Sequence, residues 1–379
     1  MGLFCCIHDY FWILLSSAIL GLVCAVVAFL KPRLKNINWN GRHVLITGGS
    51  SGIGLSIADC LLRKYGEDVT VTLVARNKSK LDQARETLLT KSGRPANCVQ
   101  VFSCDVSNYE ELDRTVTAAC KQCQKPVTGL ICSAGISSHR LLQDTSTDLF
   151  KDMMDINVQG SFNAVKVLFT QAVLPFMSGV CNNDSEKGEA AGGDSMESAT
   201  AVSQSLRESS GAKYKPGFIC LLSSQAGSIG LIGYTAYSAS KFALRGLAEA
   251  LQMELRPHNV FVTLTHPPDT ETPSLKKENE ERSELLKKIA GTACMWSSDM
   301  VAHKILFDIS NNVFLSHFGV IGWLLSLATA SCAPIHSISQ FITEVLLAGV
   351  ARFIVLFFHY DFDVKIKREM RPEKSKKEL

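Results

Sequence analysis

Two kinds of hydrophobic pattern divide the 379-residue chain. From Arg42 onward, short β-branched apolar runs alternate with longer stretches of helical period, the pattern of strand–helix–strand units on a parallel sheet. These runs predict strands at residues 43–47, 69–75, 98–103, 127–132, 218–223 and 259–265. Val44-Leu45-Ile46 and Phe218-Ile219-Cys220-Leu221-Leu222 are apolar without a break, as strands buried on both faces must be. The expected fold is α/β: a Rossmann-like doubly wound parallel sheet in three layers, α/β/α, forming one domain over residues 41–311. Residues 178–216 interrupt the alternation with Ser, Gly, Ala, Glu and Asp and few large apolar side chains. They cannot bury enough surface to offset their ordering entropy, so a disordered insertion is expected there.

At both ends the pattern turns continuously apolar. Residues 11–30 carry no charge, and as a helix they would span about 30 Å, the hydrocarbon thickness of a bilayer. Lys31, Arg33 and Lys35 follow at once, whereas the ten residues before hold only Asp9 and His8. The positive-inside bias therefore predicts a transmembrane helix with residues 1–10 in the lumen and the remainder cytosolic. A cleaved signal peptide is the alternative, and the missing basic n-region weighs against it. Residues 312–360 form a second hydrophobic region, with no charge between Asp308 and Glu344 and only Arg352 interrupting 345–358. Pro334 divides it. It reads as membrane-associated helices, a dipping hairpin among them, or its first part (313–320) reads as the last strand of the sheet. Arg352 would be costly at mid-bilayer, which favours an interfacial or protein-packed second block.

Charge narrows the partners. The formal net charge is +3, and the last sixteen residues alone hold seven basic and three acidic side chains. The rest of the chain is thus close to neutral, and nothing implies a nucleic-acid-binding face. Residues 361–379 read as a basic cytosolic tail ending Lys376-Lys377-Glu378-Leu379; its lysines are placed as in the di-lysine retrieval signal of endoplasmic reticulum membrane proteins. Thirteen scattered Cys fit buried thiols in a reducing compartment better than a disulfide framework. No metal site is expected.

Candidate chemistry lies at two places. The first strand runs into Gly48-Gly49-Ser50-Ser51-Gly52-Ile53-Gly54 and then a helical pattern. Glycines there permit a tight turn and bring backbone amides up to a pyrophosphate at the helix N-terminus. The second strand ends in Ala75-Arg76-Asn77, where an NAD site would want a carboxylate. Arg76, with Lys80 one turn on, suits the 2′-phosphate of NADP, unless it is only a surface Arg. Asp105, after the third strand, would lie beside the adenine. Farther along, Tyr237 and Lys241 stand four residues apart in a helical pattern, so phenol and ammonium share one face. A nearby cation is expected to lower the phenol's pKa from about 10 and make it a proton donor and acceptor.

With Thr47-Gly48-x-x-x-Gly52-x-Gly54, Asn157 in Asn157-Val158-Gln159-Gly160, Ser224, and Tyr237-x-x-x-Lys241, the chain resembles the short-chain dehydrogenase/reductase family from about residue 41 to 311. The resemblance implies NADPH as cofactor and four catalytic residues. Tyr237 would be the acid/base, Ser224 would polarise the substrate oxygen (Ser223 being the fallback), and Lys241 would bind the nicotinamide ribose. Asn157 would hold a water in the proton relay. Cofactor contacts would come from Gly48, Ser50, Ser51, Gly52, Ile53, Gly54, Arg76, Lys80, Asp105, Tyr237, Lys241 and Thr270. The chain departs from the family in Cys132-Ser133-Ala134-Gly135 and in Pro267-Pro268 before Thr270. Within the family, 223–227, 234–254 and 267–273 are similar to a branch that reduces a long-chain keto-sphingoid lipid at the endoplasmic reticulum membrane, facing the cytosol. That implies reduction of 3-ketosphinganine to sphinganine. A steroid or retinoid substrate, or a catalytically silent membrane scaffold, are the other readings. Substrate contacts are expected in 136–144, 227–233 and 269–289. Family precedent leaves open a homodimer through the helices around Asn157 and Phe242.

Overall fold

The computed structural model describes residues 37–66, 68–173, 217–282, 295–330, 333–335 and 337–369. The expected lumenal segment (1–10), transmembrane helix (11–30), insertion (178–216) and di-lysine terminus lie outside the described residues.

All six predicted strands form, each within two residues of its expected limits: β1 (His43–Thr47), β2 (Thr70–Ala75), β3 (Val99–Ser103), β4 (Gly129–Cys132), β5 (Phe218–Leu222) and β6 (Phe261–Thr265). Three further strands are two residues long: β7 (Thr270–Glu271) and β8 (Trp296–Ser297), which were not expected, and β9 (Leu315–Ser316), which falls within 313–320. Seven strands make one sheet in the order β3-β2-β1-β4-β5-β6-β9, every neighbour parallel. Every residue of β1, β5 and β6 is buried, which is why their sequences lack polar alternation.

Helices cover both faces. On one side α1 (Gly52–Cys60), α2 (Lys78–Ser92) and α8 (Ser298–Ser310) pack Ile57, Leu81, Leu88 and Ile305 against Ile46, Leu73 and Phe218. On the other, α3 (Tyr109–Cys123), α5 (Gly160–Leu168) and α6 (Thr235–Leu255) pack Leu112, Val165 and Leu244 against Leu45, Leu130 and Leu221. The short α4 (Thr147–Met153) joins α5 through a π-helical turn at Met154–Gln159, and α7 (Pro273–Glu281) follows β7. Strand order reverses at β1, which has β2 on one side and β4 on the other. In open parallel sheets the ligand crevice lies outside the strand carboxyl ends at such a reversal. At the opposite edge the chain enters β5 through Gly217, whose N–H donates to the Thr128 carbonyl at 2.9 Å. A Cβ on Gly217 would meet the Arg42 guanidinium.

Of the two readings of residues 313–320, the structure has the strand: β9 pairs with β6 at Thr265 and Ser316. The sheet therefore continues past Asn311. Beyond it come α9 (Gly319–Ala328) and α10 (Ile338–Glu369). A short second block with a separate tail from residue 361 was expected, but α10 is one 32-residue helix that runs through Arg352 and on to Glu369. Among the described residues, Ile338–Arg368 is the one stretch long and apolar enough to cross a membrane. It leaves Val345, Leu346, Phe353 and Phe357 exposed. Of the described cysteines, Cys60, Cys98, Cys104, Cys120, Cys132 and Cys220 are buried free thiols.

Candidate active site

A cavity of about 660 Å³ runs along the strand carboxyl ends, from Arg76 and Asp105 at one end to Tyr237 and Glu278 at the other. Its floor begins with the turn after β1. Gly48 and Gly52 have φ of +67° and +56°, a region that side-chain-bearing residues rarely enter. A Cβ on Gly48 would also lie 2.7 Å from the backbone of Ser133 and Ala134. Gly48, Ser50, Ser51, Gly52 and Ile53 line the cavity, but Gly54 does not. Gly54 is buried under the turn, where a Cβ would come within 2.7 Å of the Gly48 carbonyl. Its part is to let α1 pack tightly beneath the loop. Ser51 caps α1 without a side-chain hydrogen bond, so the first amides of the helix remain available to an anion.

Arg76 and Lys80, both exposed, line the same end. Neither has an acidic partner among the described residues. Asn77 caps α2 by accepting from the Lys80 amide at 2.9 Å, which fixes the turn that carries both cations. Asp105 accepts from the Ser107 amide and hydroxyl at 3.0 and 2.8 Å. Thr270 also lines the cavity, its hydroxyl donating to the Pro268 carbonyl at 2.8 Å.

The other end is built on the first turns of α6. Tyr237 and Lys241 share a face, with the Lys241 Nζ 5.6 Å from the centroid of the phenol ring. Lys241 is only 6% exposed and donates to the Leu222 carbonyl at 2.8 Å, which ties α6 to the end of β5. Ser223 donates to the Lys241 carbonyl at 2.9 Å; the Ser224 hydroxyl, which accepts from the Ala226 amide at 3.2 Å, lines the cavity with Tyr237. The expected lowering of the phenol pKa is not found. Burial pushes it well above its ordinary value, the Glu278 carboxylate adds to the rise, and Ser224 pulls it partly back. Lys241 has its own charge weakened: burial pulls it down to about 8, against an upward pull from Glu278. Loss of solvation is the largest cause of both shifts.

Asn157 sits on the π-helical turn between α4 and α5, a distortion that often marks functional sites. It is 1% exposed and does not line the cavity. Its amide donates to the Ile136 carbonyl and the Ser240 hydroxyl, both at 2.9 Å, and accepts from the Ile136 N–H at 2.8 Å. Both amide hydrogens are thereby used, so Asn157 clamps the loop after β4 and can offer a water only its oxygen.

Several groups on the substrate side were not singled out in the sequence. Arg282 donates to Asp269 and to the Tyr234 hydroxyl, each at 3.0 Å. The His139 ring packs edge-on against Tyr234 at 4.3 Å, with Nε2 3.5 Å from Glu278. Ser137 donates to the other Glu278 oxygen. These residues come from the loop after β4, the turn before α6, and α7 with its flanking loops, and no motif spacing links them. Only the windows 136–144 and 269–289 pointed to them.

The short chain dehydrogenase family model matches residues 42–190 and 195–283. The chain is 35% identical to a 3-ketodihydrosphingosine reductase of Bos taurus across 94% of its own length and 96% of that protein's. It is 36% identical to a 3-dehydrosphinganine reductase of Danio rerio, covering 89% of each. Among solved structures, an actinorhodin polyketide ketoreductase with NADPH superposes with a TM-score of 0.54 at 22% identity, covering 71% of this chain and 90% of that one. That last likeness is one of fold.

Proposed function

From the premise that the chain belongs to the short-chain dehydrogenase family, we propose that it reduces 3-ketosphinganine to sphinganine with NADPH. The observation that carries the substrate is the full-length likeness to reductases of that ketone, 35% identical across 94% of the chain. A nicotinamide dinucleotide fits the residues present, because the cradle at Gly48 would be filled by any Cβ and the amides opening α1 lack a side-chain cap. Arg76 and Lys80 supply the positive charge that a 2′-phosphate requires, which supports NADPH over NADH. Ser50, Ser51, Gly52 and Ile53 would hold the pyrophosphate, Asp105 the adenine end, and Thr270, Tyr237 and Lys241 the nicotinamide end. Bound there, the cofactor supplies the hydride.

The chain's own residues would manage the proton. Ser224 would donate a hydrogen bond to the ketone oxygen, and Tyr237 would pass its phenolic proton to that oxygen. A phenol whose pKa is raised by burial holds its proton at neutral pH, so it is loaded for reduction. Lys241, largely protonated below about pH 8, would stabilise the phenolate left behind. Asn157 acts at one remove, by fixing Ile136 and Ser240 around these groups. Such acid/base assistance is typically worth roughly 10² to 10⁴ in rate.

An apolar α10 and the basic terminus support residence in the endoplasmic reticulum membrane, with the reductase domain facing the cytosol. Exposed Phe162 and Phe242 on α5 and α6 support a homodimer through those helices. The test is turnover: purified protein in detergent should oxidise NADPH with 3-ketosphinganine and not with a steroid ketone or retinal. Tyr237→Phe should lose at least about 10² in rate while still binding NADPH. Consumption of the steroid ketone alone would overturn the assignment.

A further inference from the structure

We propose that Tyr234 recognises the primary hydroxyl of the substrate's head, donating a hydrogen bond to its oxygen while Ser224 and Tyr237 hold the ketone. This rests on the function proposed above and deepens it by naming a specificity-determining residue. Tyr234 and Tyr237 stand three residues apart at the start of α6 and so share a face. Their ring centroids lie 5.9 Å apart, and both residues line the cavity. In 3-ketosphinganine the ketone and hydroxyl oxygens sit on carbons separated by one other. Tyr234, Asp269 and Arg282 make the wall beside Tyr237 polar, and a polar wall takes the head of the lipid and not its hydrocarbon tail.

The Tyr234 phenol, buried at 8% exposure, is a donor without an acceptor. Arg282 Nη2 donates to its oxygen at 3.0 Å, while Nη1 is bound to Asp269 at the same distance. A guanidinium has no acceptor, so the phenol must turn its own hydrogen elsewhere. The His139 ring packs edge-on at 4.3 Å but does not take that hydrogen, since neither of its ring nitrogens has a hydrogen-bond partner. No other described residue accepts it, which leaves it for a group in the cavity. An ammonium also lacks a lone pair. With the ketone oxygen held by Ser224 and Tyr237, the hydroxyl oxygen is the acceptor that remains on the head. Asp269 offsets the charge of Arg282, so the head's own ammonium does not meet a lone cation. Nor is Tyr234 a second acid. Burial raises its pKa, and one turn on it has Ser238 where Tyr237 has Lys241; it keeps its proton and offers it only as a hydrogen bond.

The experiment compares 3-ketosphinganine with its 1-deoxy analogue, which keeps the amine and the chain length, on purified full-length protein with NADPH. Wild-type protein should show a KM about 3- to 10-fold lower for the hydroxylated ketone, as one neutral hydrogen bond provides. Tyr234→Phe keeps the ring and should erase that gap. KM for the hydroxylated ketone should rise by about the same factor, and KM for the deoxy ketone should move by less than about twofold. The bond lost to Arg282 in this variant is common to both ketones, so the difference between them isolates the substrate's hydroxyl. An equal loss on both ketones, or a gap that survives in Tyr234→Phe, overturns the proposal. If Tyr234→Phe fails to fold or to bind NADPH, the wild-type ratio decides, a value under about twofold counting against the proposal and a larger one for it. Wild-type protein that reduces both ketones with equal KM would sink this proposal and leave the proposed function standing. Wild-type protein that reduces neither would sink the function itself.

Discussion

Arg76 stands at the carboxyl end of β2 with its guanidinium exposed and no acidic partner among the described residues. Its replacement therefore breaks no ion pair, and its effect reads directly on the cofactor. A charge-assisted hydrogen bond is worth about 1.5–3 kcal/mol, so Arg76→Asp should cut the preference for NADPH over NADH by at least about tenfold. Steady-state kinetics with both cofactors measure it, and an unchanged ratio would remove Arg76 as the phosphate reader. Residues whose chemistry demands a fixed local spacing could be read from sequence: Tyr237 and Lys241 four apart, the glycines of one turn, Arg76 just past a strand. Glu278, His139 and Arg282 could not, because their meeting depends on where β7 and α7 fold back over the loop after β4. The sign of the phenol's pKa shift was equally hidden, since spacing shows the ammonium and not the depth of burial.

At the level of the element, α1 depends on how closely it can approach the turn that precedes it. Alanine normally improves a helix over glycine by about 1 kcal/mol. At Gly54 the new methyl would lie 2.7 Å from the Gly48 carbonyl and 3.1 Å from Ser133 Oγ, and neither backbone nor strand end can move freely. Overpacking of this kind costs about 1–3 kcal/mol. Gly54→Ala should thus lower the melting temperature and weaken NADPH binding by about tenfold or more, as calorimetry and cofactor titration would show; a more stable variant with unchanged affinity would contradict the packing argument. The strands inside the sheet were legible because burial on both faces leaves unbroken apolar runs. β9 was ambiguous for a physical reason. It is two residues long and opens a charge-free region whose composition suits a sheet edge or a bilayer equally well. The length of α10 was hidden because the apolar run stops at Phe358 while the helix continues through charged residues to Glu369.

Across the whole molecule, three buried histidines make stability depend on acid. Burial pulls His43 and His139 down to about 4 and His266 to about 3, while an unfolded histidine titrates at about 6.5. Between those limits the unfolded chain binds more protons than the folded one, so stability is full above about pH 6.5 and is lost as pH falls toward 4. His43 is wholly buried, held by the Lys125 carbonyl and Thr72 hydroxyl at 2.9 and 2.8 Å, and its share is on the order of 3 kcal/mol. Melting temperature should drop across that window, and His43→Gln should shallow the slope; a flat profile from pH 6.5 to 4.5 would show that these rings are charged in the fold. The attachment at Gly217, beside Thr128 and Arg42 on the sheet edge remote from Tyr237, has a practical corollary. A fluorophore or affinity handle grafted at that end of β5 would stand away from the phenol and the glycine turn, giving the experimenter a grip that leaves the reaction undisturbed.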